Sequence, residues 1–326
     1  MDKIIGYGNA LVDVLAKIDD DSILDTLNLP KGGMTLVDGE RFNAVSELLH
    51  RLPTRMVTGG SAGNTILSLA KLGVETGILG KVGCDDFGSV LRSKFEEHHV
   101  AVHFKESAVL PTGVCSAFVS PDGERTMATF LGAGNDMRAE EIEPDVFSGY
   151  KSLYVEGYMV QNHDLMVRVM QLAKSAGMHI CLDLASFTVV MQEREFFLRL
   201  IREYADIVFA NEEEAHALTG LDAEKAIDII ATHCSIAVVK MGSRGSMIRK
   251  GDTFVRVPAQ TVEQVIDTTG AGDNYAAGFL YGLFVGCSLE RCANLGTTLA
   301  AQVIQVMGAT PPDEAIQQLK IMAFAN

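Results

Sequence analysis

The stretch DTTGAGDNYAAGFLYGLF, residues 267–284, joins a short acidic, glycine-rich turn to an apolar run. Gly270, Ala271 and Gly272 carry almost no side chain, so their backbone N–H groups can approach an anion closely where a helix begins near Gly272. Asp273 then falls in the first helical turn, beside that anion, where a carboxylate can accept a proton from a hydroxyl. A transferring phosphoryl group suits both features. The same residues taken alone also read as a tight turn and a helix cap, so the stretch gains meaning from its company.

Working outward, apolar runs alternate with helical spacing: SLYVEG (152–157), a helix from Asp164 to Ala176, HICLDL (179–184), a helix near Glu195 to Tyr204, DIVFAN (206–211) and IAVVKMG (236–242). This rhythm predicts an α/β fold, a doubly wound and mostly parallel sheet flanked by helices. Nearer the N-terminus come a strand from Ile4 to Gly8, helical spacing from Arg41 to His50, a helix after TGGSAGNT, a strand from Gly77 to Val82 and a helix from Phe87 to His98. GVCSAFVS, PDG and ERTMATFL (113–131) read as a two-strand hairpin. The expectation is a single domain over 1–326 with a small β-sheet lid, its segments at approximately 12–38 and 101–131.

Three loops follow strands of the expected sheet, at the edge where open α/β sheets bind ligands. The glycine turn before Asp273 is one. NEEEA, from Asn211, puts Asn211 and Glu214 on one helix face, where they can hold Mg²⁺ through water or simply start an acidic helix. In VVKMGSRGS, Gly242 and Gly245 permit a backbone turn against a nucleotide, with Lys240, Ser243 and Arg244 nearby. A second site is expected from Asn9 and Asp13 in GNALVDV and from Gly60, Ser61 and Asn64 in GGSAGN, whose short polar groups suit paired sugar hydroxyls or helix capping. Arg125, in GERT on the hairpin, is a candidate to neutralise phosphate charge when the lid closes.

Composition narrows the partners. With 27 Lys and Arg against 42 Asp and Glu the formal charge is −15, which disfavours nucleic acid and leaves small anions held by local positive sites. The most apolar run, Gly278 to Gly286, is too short to span a bilayer, and MDKIIGYG shows no signal segment, so no membrane partner and a cytoplasmic location are expected. Six cysteines lie without a C-x-x-C pair and are expected as buried, reduced thiols. An exposed lid edge is compatible with a monomer or a homodimer.

In this order the segments resemble the ribokinase-like (PfkB) family of carbohydrate and nucleoside kinases over nearly the whole chain. TGGSAGNTILSLAKLG looks like the family's N-terminal signature and DTTGAGDNYAAGFL like its C-terminal one. The resemblance implies in-line transfer of the ATP γ-phosphoryl group to a primary hydroxyl, with Asp273 as base and the Gly270, Ala271 and Gly272 backbone as anion hole. It implies Mg²⁺ near Asn211 and Glu214, ATP against Lys240, Gly242, Ser243 and Gly245, and a monovalent cation such as K⁺ in the loop of Asp267 and Thr269. Within the family, GNALVDV, GGSAGN and GERTMATFLGAGN look most like adenosine kinases. By that resemblance the ribose would lie on Asn9, Asp13, Gly60 and Asn64, and the base among Leu36, Thr129, Tyr158 and Met159.

Other nucleosides and a ribose- or fructose-type sugar remain as alternative substrates. Two readings of other classes are weighed as well. GYGNAL begins like a dinucleotide-binding G-x-G-x-x-G turn but has Leu11 where the third glycine belongs. A non-catalytic nucleoside-binding protein with the same fold would not need Asp273.

Overall fold

A computed structural model of the chain describes residues 2–122 and 124–324. Gly123, at the tip of the expected hairpin turn, lies outside the described residues. Strand β1 (Ile4–Tyr7) is followed by β2 (Leu11–Lys17), the short helix α1 (Ser22–Thr26), β3 (Met34–Leu36), α2 (Gly39–Leu49) and β4 (Thr54–Thr58). Next come α3 (Ser61–Leu72), β5 (Thr76–Gly83), α4 (Asp86–Glu97), β6 (Ala101–Ser107) and the hairpin β7 (Gly113–Val119) and β8 (Arg125–Phe130). After several 3-10 turns the regular alternation begins: β9 (Ser152–Glu156), α5 (His163–Ser175), β10 (His179–Asp183), α6 (Phe187–Gln192), α7 (Arg194–Glu203), β11 (Ile207–Asn211), α8 (Glu212–Thr219), α9 (Ala223–Ala231) and β12 (Ile236–Lys240). The strands β13 (Ser246–Lys250) and β14 (Thr253–Val257) precede α10 (Ala271–Phe284), α11 (Leu289–Val303) and α12 (Asp313–Phe324).

The large sheet runs β14, β13, β12, β11, β10, β9, β1, β5, β6, with parallel pairing from β12 to β6 and an antiparallel return through β13 and β14. Its inner strands, β12 through β5, are buried along nearly their whole length because helices cover both faces, while the edge strands β6 and β14 are mostly unburied. Alternate residues point to opposite cores. Ile4, Tyr154, Cys181 and Phe209 join one packed against α3, α10 and α11, while Ile5, Val155, Leu182 and Val208 join the other under α5 to α9. The order of connection reverses at β1, which lies between β5 and β9, and this opens a crevice beyond the strand ends. GYGNAL leads from β1 into a strand, not a helix, so the helix start that a dinucleotide fold needs is missing there.

The small sheet runs β3, β8, β7, β2, β4. It corrects the expected lid in two places. Ala101–Ser107 is not in it: β6 is an edge strand of the large sheet, parallel to β5, where Phe104 packs edge-on against Phe95 of α4. Thr54–Thr58, which lies outside the expected lid segments, is in it, pairing antiparallel with β2. The cysteines are all free, but Cys84 is exposed and only Cys115, Cys181 and Cys292 are buried. Among the described residues no helix is long and apolar enough to cross a membrane.

Candidate active site

A single cavity of about 760 Å³ runs from the small sheet, over the ends of the parallel strands, to α11. Its floor is made by the last residues of successive strands. Glu156 and Asp183 are register partners on β9 and β10, and Asn211 and Lys240 are partners on β11 and β12. Asn9, just after β1, completes the row. A polar residue at the end of an apolar strand is carried to the sheet edge by the register itself.

At the centre the backbone turns at Gly270, whose φ of +72° suits glycine, and α10 begins at Ala271. Asp273 in its first turn accepts hydrogen bonds from Ser61 Oγ at 2.6 Å and Asn64 Nδ2 at 2.8 Å, both from the start of α3. Thr65 Oγ1 donates to the Asp273 carbonyl, and Ser68 Oγ to Asn274 Oδ1, so two helix starts are tied together side by side. Burial pushes the Asp273 carboxyl up to about 6, held back by Ser61 and Asn64. Lys240 stands next to this turn: a Cβ on Gly272 would lie 3.1 Å from Lys240 Nζ. Its ammonium pairs with Asp183 at 3.0 Å, and although burial pulls its pKa down, Asp183 and Glu214 outweigh that and raise it.

Two residues missed in the sequence organise the floor. Glu156 is buried and accepts from Asn9 N (2.9 Å), Asn9 Nδ2 (2.8 Å) and Ala62 N (2.8 Å), joining β1, β9 and α3. Gly8 makes room for it, since a Cβ there would run into the Glu156 carboxylate. Burial lifts Glu156 to about 7 against the pull of those donors. Asp183 accepts from Lys240 Nζ, the Ala185 amide and Tyr154 OH. Each is the last letter of an apolar strand, a position that no spacing rule marks.

Of the sugar-site residues, Asn9, Asp13, Gly60 and Ser61 line the cavity, and so do Leu36, Thr129 and Tyr158. The carboxyl of Asp13 is raised to about 7 by burial, with Arg125 opposing and Asp273 and Asp267 adding to the rise. Asn64 is not at the cavity wall and spends its amide on Asp273, which is. Met159 is not at the wall either: it is buried in the core under α5. Phe130 stacks on Phe42 with ring centroids 4.7 Å apart and is not at the cavity wall, whereas Tyr158 is.

Lys240, Gly242, Ser243 and Gly245 all border the far end. That end has an apolar wall the sequence reading lacked, built by Ala259, Val262, Val265, Ala300, Ala301 and Ile304. Thr297 lies along this wall, its hydroxyl buried and without a protein partner among the described residues. Asn211 and Glu214 form a capping box, in which both Glu214 oxygens accept from Asn211 and Asn211 Oδ1 accepts from the Glu214 amide. Because both oxygens are engaged, contact with Mg²⁺ would run through the ion's waters, the mode Mg²⁺ favours, and burial pushes the Glu214 carboxyl up to about 7, with Lys240 opposing.

Two expectations are corrected at Asp267. Arg125 does not reach the cavity. Its guanidinium, which is not at the cavity wall, pairs with buried Asp267 Oδ1 at 3.0 Å and donates to Oγ1 of Thr269, a half-buried residue that lines the cavity. Asp267 also accepts from Thr269 N at 2.9 Å and from Gly308 N at 2.7 Å. The residues expected to hold K⁺ therefore do not fit it here, because a fixed positive charge already occupies their oxygens.

An elongated crevice at the switch point of a parallel sheet, a glycine turn opening a helix, and a buried carboxylate beside a lysine define a ribokinase-like phosphotransferase. The chain belongs to the pfkB family of carbohydrate kinases, whose model matches residues 39–316. Adenosine kinase of Saccharomyces cerevisiae is 28% identical over 347 residues, covering 97% of this chain and 99% of that protein. An uncharacterized sugar kinase of Archaeoglobus fulgidus is 32% identical over 249 residues, covering 74% of this chain and 96% of that one. Among solved structures, adenosine kinase from Sinorhizobium meliloti superposes with a TM-score of 0.88 at 37% identity, covering 97% of this chain and 98% of that chain.

Proposed function

We propose that the chain transfers the γ-phosphoryl group of ATP to the primary hydroxyl of a nucleoside, with adenosine the first candidate. The observation that carries this reading is the continuity of one cavity with Asp273 at its middle and an apolar wall at each end. At the small-sheet end Leu11, Met34, Leu36, Cys115, Met127 and Leu131 offer a surface that a free sugar would leave uncovered and a base would cover. Similarity to adenosine kinases over nearly the whole chain supports the same choice.

In this reading Asp13, on the small sheet, takes sugar hydroxyls, and Asn9 is oriented for them by Glu156. Asp273 accepts the proton of the attacking hydroxyl, and Ser61 and Asn64 hold its carboxylate in place. The backbone amides of the Gly270 turn and the Lys240 ammonium meet the negative charge on the phosphoryl oxygens. Mg²⁺, held through water by Glu214 and Asn211, would supply charge neutralisation on the phosphates. Val262, Val265 and Ile304 would enclose the nucleotide base.

A sugar kinase is the second reading, favoured by one observation: none of the small-sheet residues at the wall is aromatic, so no ring clamp for a base is contributed from the lid. The test is ADP release with adenosine, inosine, guanosine, ribose and fructose as acceptors, using Asp273→Asn as control. Adenosine is expected to give the highest kcat/KM. A preference for a free sugar would replace the nucleoside reading, and no ADP with any acceptor would remove the kinase reading.

A further inference from the structure

We propose that Arg125 replaces the monovalent cation of the phosphate-binding loop, so that phosphoryl transfer by this chain does not depend on K⁺. The inference rests on the kinase reading for its activity arm only. Asp267 opens the loop that leads through Thr269 to the Gly270 turn, and its carboxylate is buried. Both of its oxygens already have backbone donors, Thr269 N and Gly308 N, and the same Oδ1 that accepts from Thr269 pairs with Arg125 Nη1.

Arg125 stands against Asp267 Oδ1 and Thr269 Oγ1, two of the side-chain oxygens this loop would offer a cation. Placing a second positive charge against a guanidinium away from bulk water is unfavourable. Removing that guanidinium would leave a buried carboxylate without its counter-charge. The Arg125 side chain is only 13% exposed and its other terminal nitrogen lies 4.0 Å from Met307 Sδ, so it is packed rather than waving at the surface. Because Arg125 belongs to β8, the charge on the loop is delivered by the small sheet. Arg125 thus acts as a positioning residue: it holds the loop whose amides face the phosphates, and does not touch them.

The experiment uses the purified full chain in buffers of equal ionic strength containing either KCl or tetramethylammonium chloride. ADP release by the unmodified chain is expected to agree within about twofold between the two salts, and so is its thermal midpoint within error. A larger stimulation by K⁺, or a midpoint raised specifically by K⁺, overturns the proposal. Arg125→Ala is expected to lose activity in tetramethylammonium and to recover about tenfold or more when K⁺ is added, with a K⁺-dependent rise in midpoint. An Arg125→Ala chain as indifferent to K⁺ as the parent overturns the assignment to the guanidinium. Should that variant not fold, the parent's response to the two salts still decides. Absence of ADP with every acceptor would refute the kinase reading instead, and the thermal arm would still test the cation inference.

Discussion

A carboxylate that takes a proton from an alcohol must be ionised near neutral pH yet remain basic, and Asp273, raised to about 6, meets both conditions. Asp273→Asn is expected to lower kcat roughly 10²- to 10⁴-fold while ATP binding, followed by equilibrium fluorescence, stays nearly unchanged. In the parent enzyme kcat should fall as the pH drops below about 6, where Asp273 is protonated. If Asp13 holds the sugar hydroxyls as proposed, the acceptor KM should rise as the pH falls through about 7, and Asp13→Asn should raise it about tenfold with a smaller change in kcat. Glu156→Ala strands the Asn9 and Ala62 amides and should cost roughly 3 kcal/mol, read from the denaturant midpoint. Asp273 was legible because its glycine turn is contiguous in sequence. Glu156 and Asp183 were not, since SLYVE and HICLD read only as apolar strands and their role comes from register neighbours in space.

Helices α10 and α11 approach so closely that a Cβ on Gly278 would lie 2.6 Å from the Leu295 carbonyl oxygen. Gly278→Val should therefore force the pair apart and destabilise the fold by about 2–3 kcal/mol, seen as a lower thermal midpoint. Its effect on kcat should be smaller than that of Asp273→Asn, because Asp273 lies more than a turn away and is tied to α3. The alternation from β9 to β12 was readable because each strand is continuously apolar and each helix carries its own periodic face. The small sheet was less so. In β4, Thr54, Arg55 and Met56 are exposed, with no alternation to announce a strand, and pairing with β2 supplies the order. In β6 only Phe104 and Ser107 are buried, so the segment looked like the lid it adjoins.

Across the whole molecule, buried acids give stability an unusual pH profile. Asp13 and Glu156 titrate near 7 and Asp273 near 6 in the fold, while unfolded carboxylates titrate at roughly 4. Between those values the folded chain binds more protons than the unfolded one, so stability grows on acidification and is lost as the pH rises through 6 and 7. Lowering the pH from about 8 to about 6 should add on the order of 3 kcal/mol, or about 5 °C in the thermal midpoint. A midpoint that falls instead would show that these carboxyls are ionised in the fold. The site is also dispersed along the chain: the bond from Ser61 to Asp273 closes a separation of 212 positions. Such distant pairings form late. During synthesis α3 leaves the ribosome long before α10, and for most of that time its polar start has no partner. On the proposed reading, any product that stops short of residue 273 lacks both the proton acceptor and the anion-binding turn, so premature termination would yield an inert protein and not one that spends ATP unproductively.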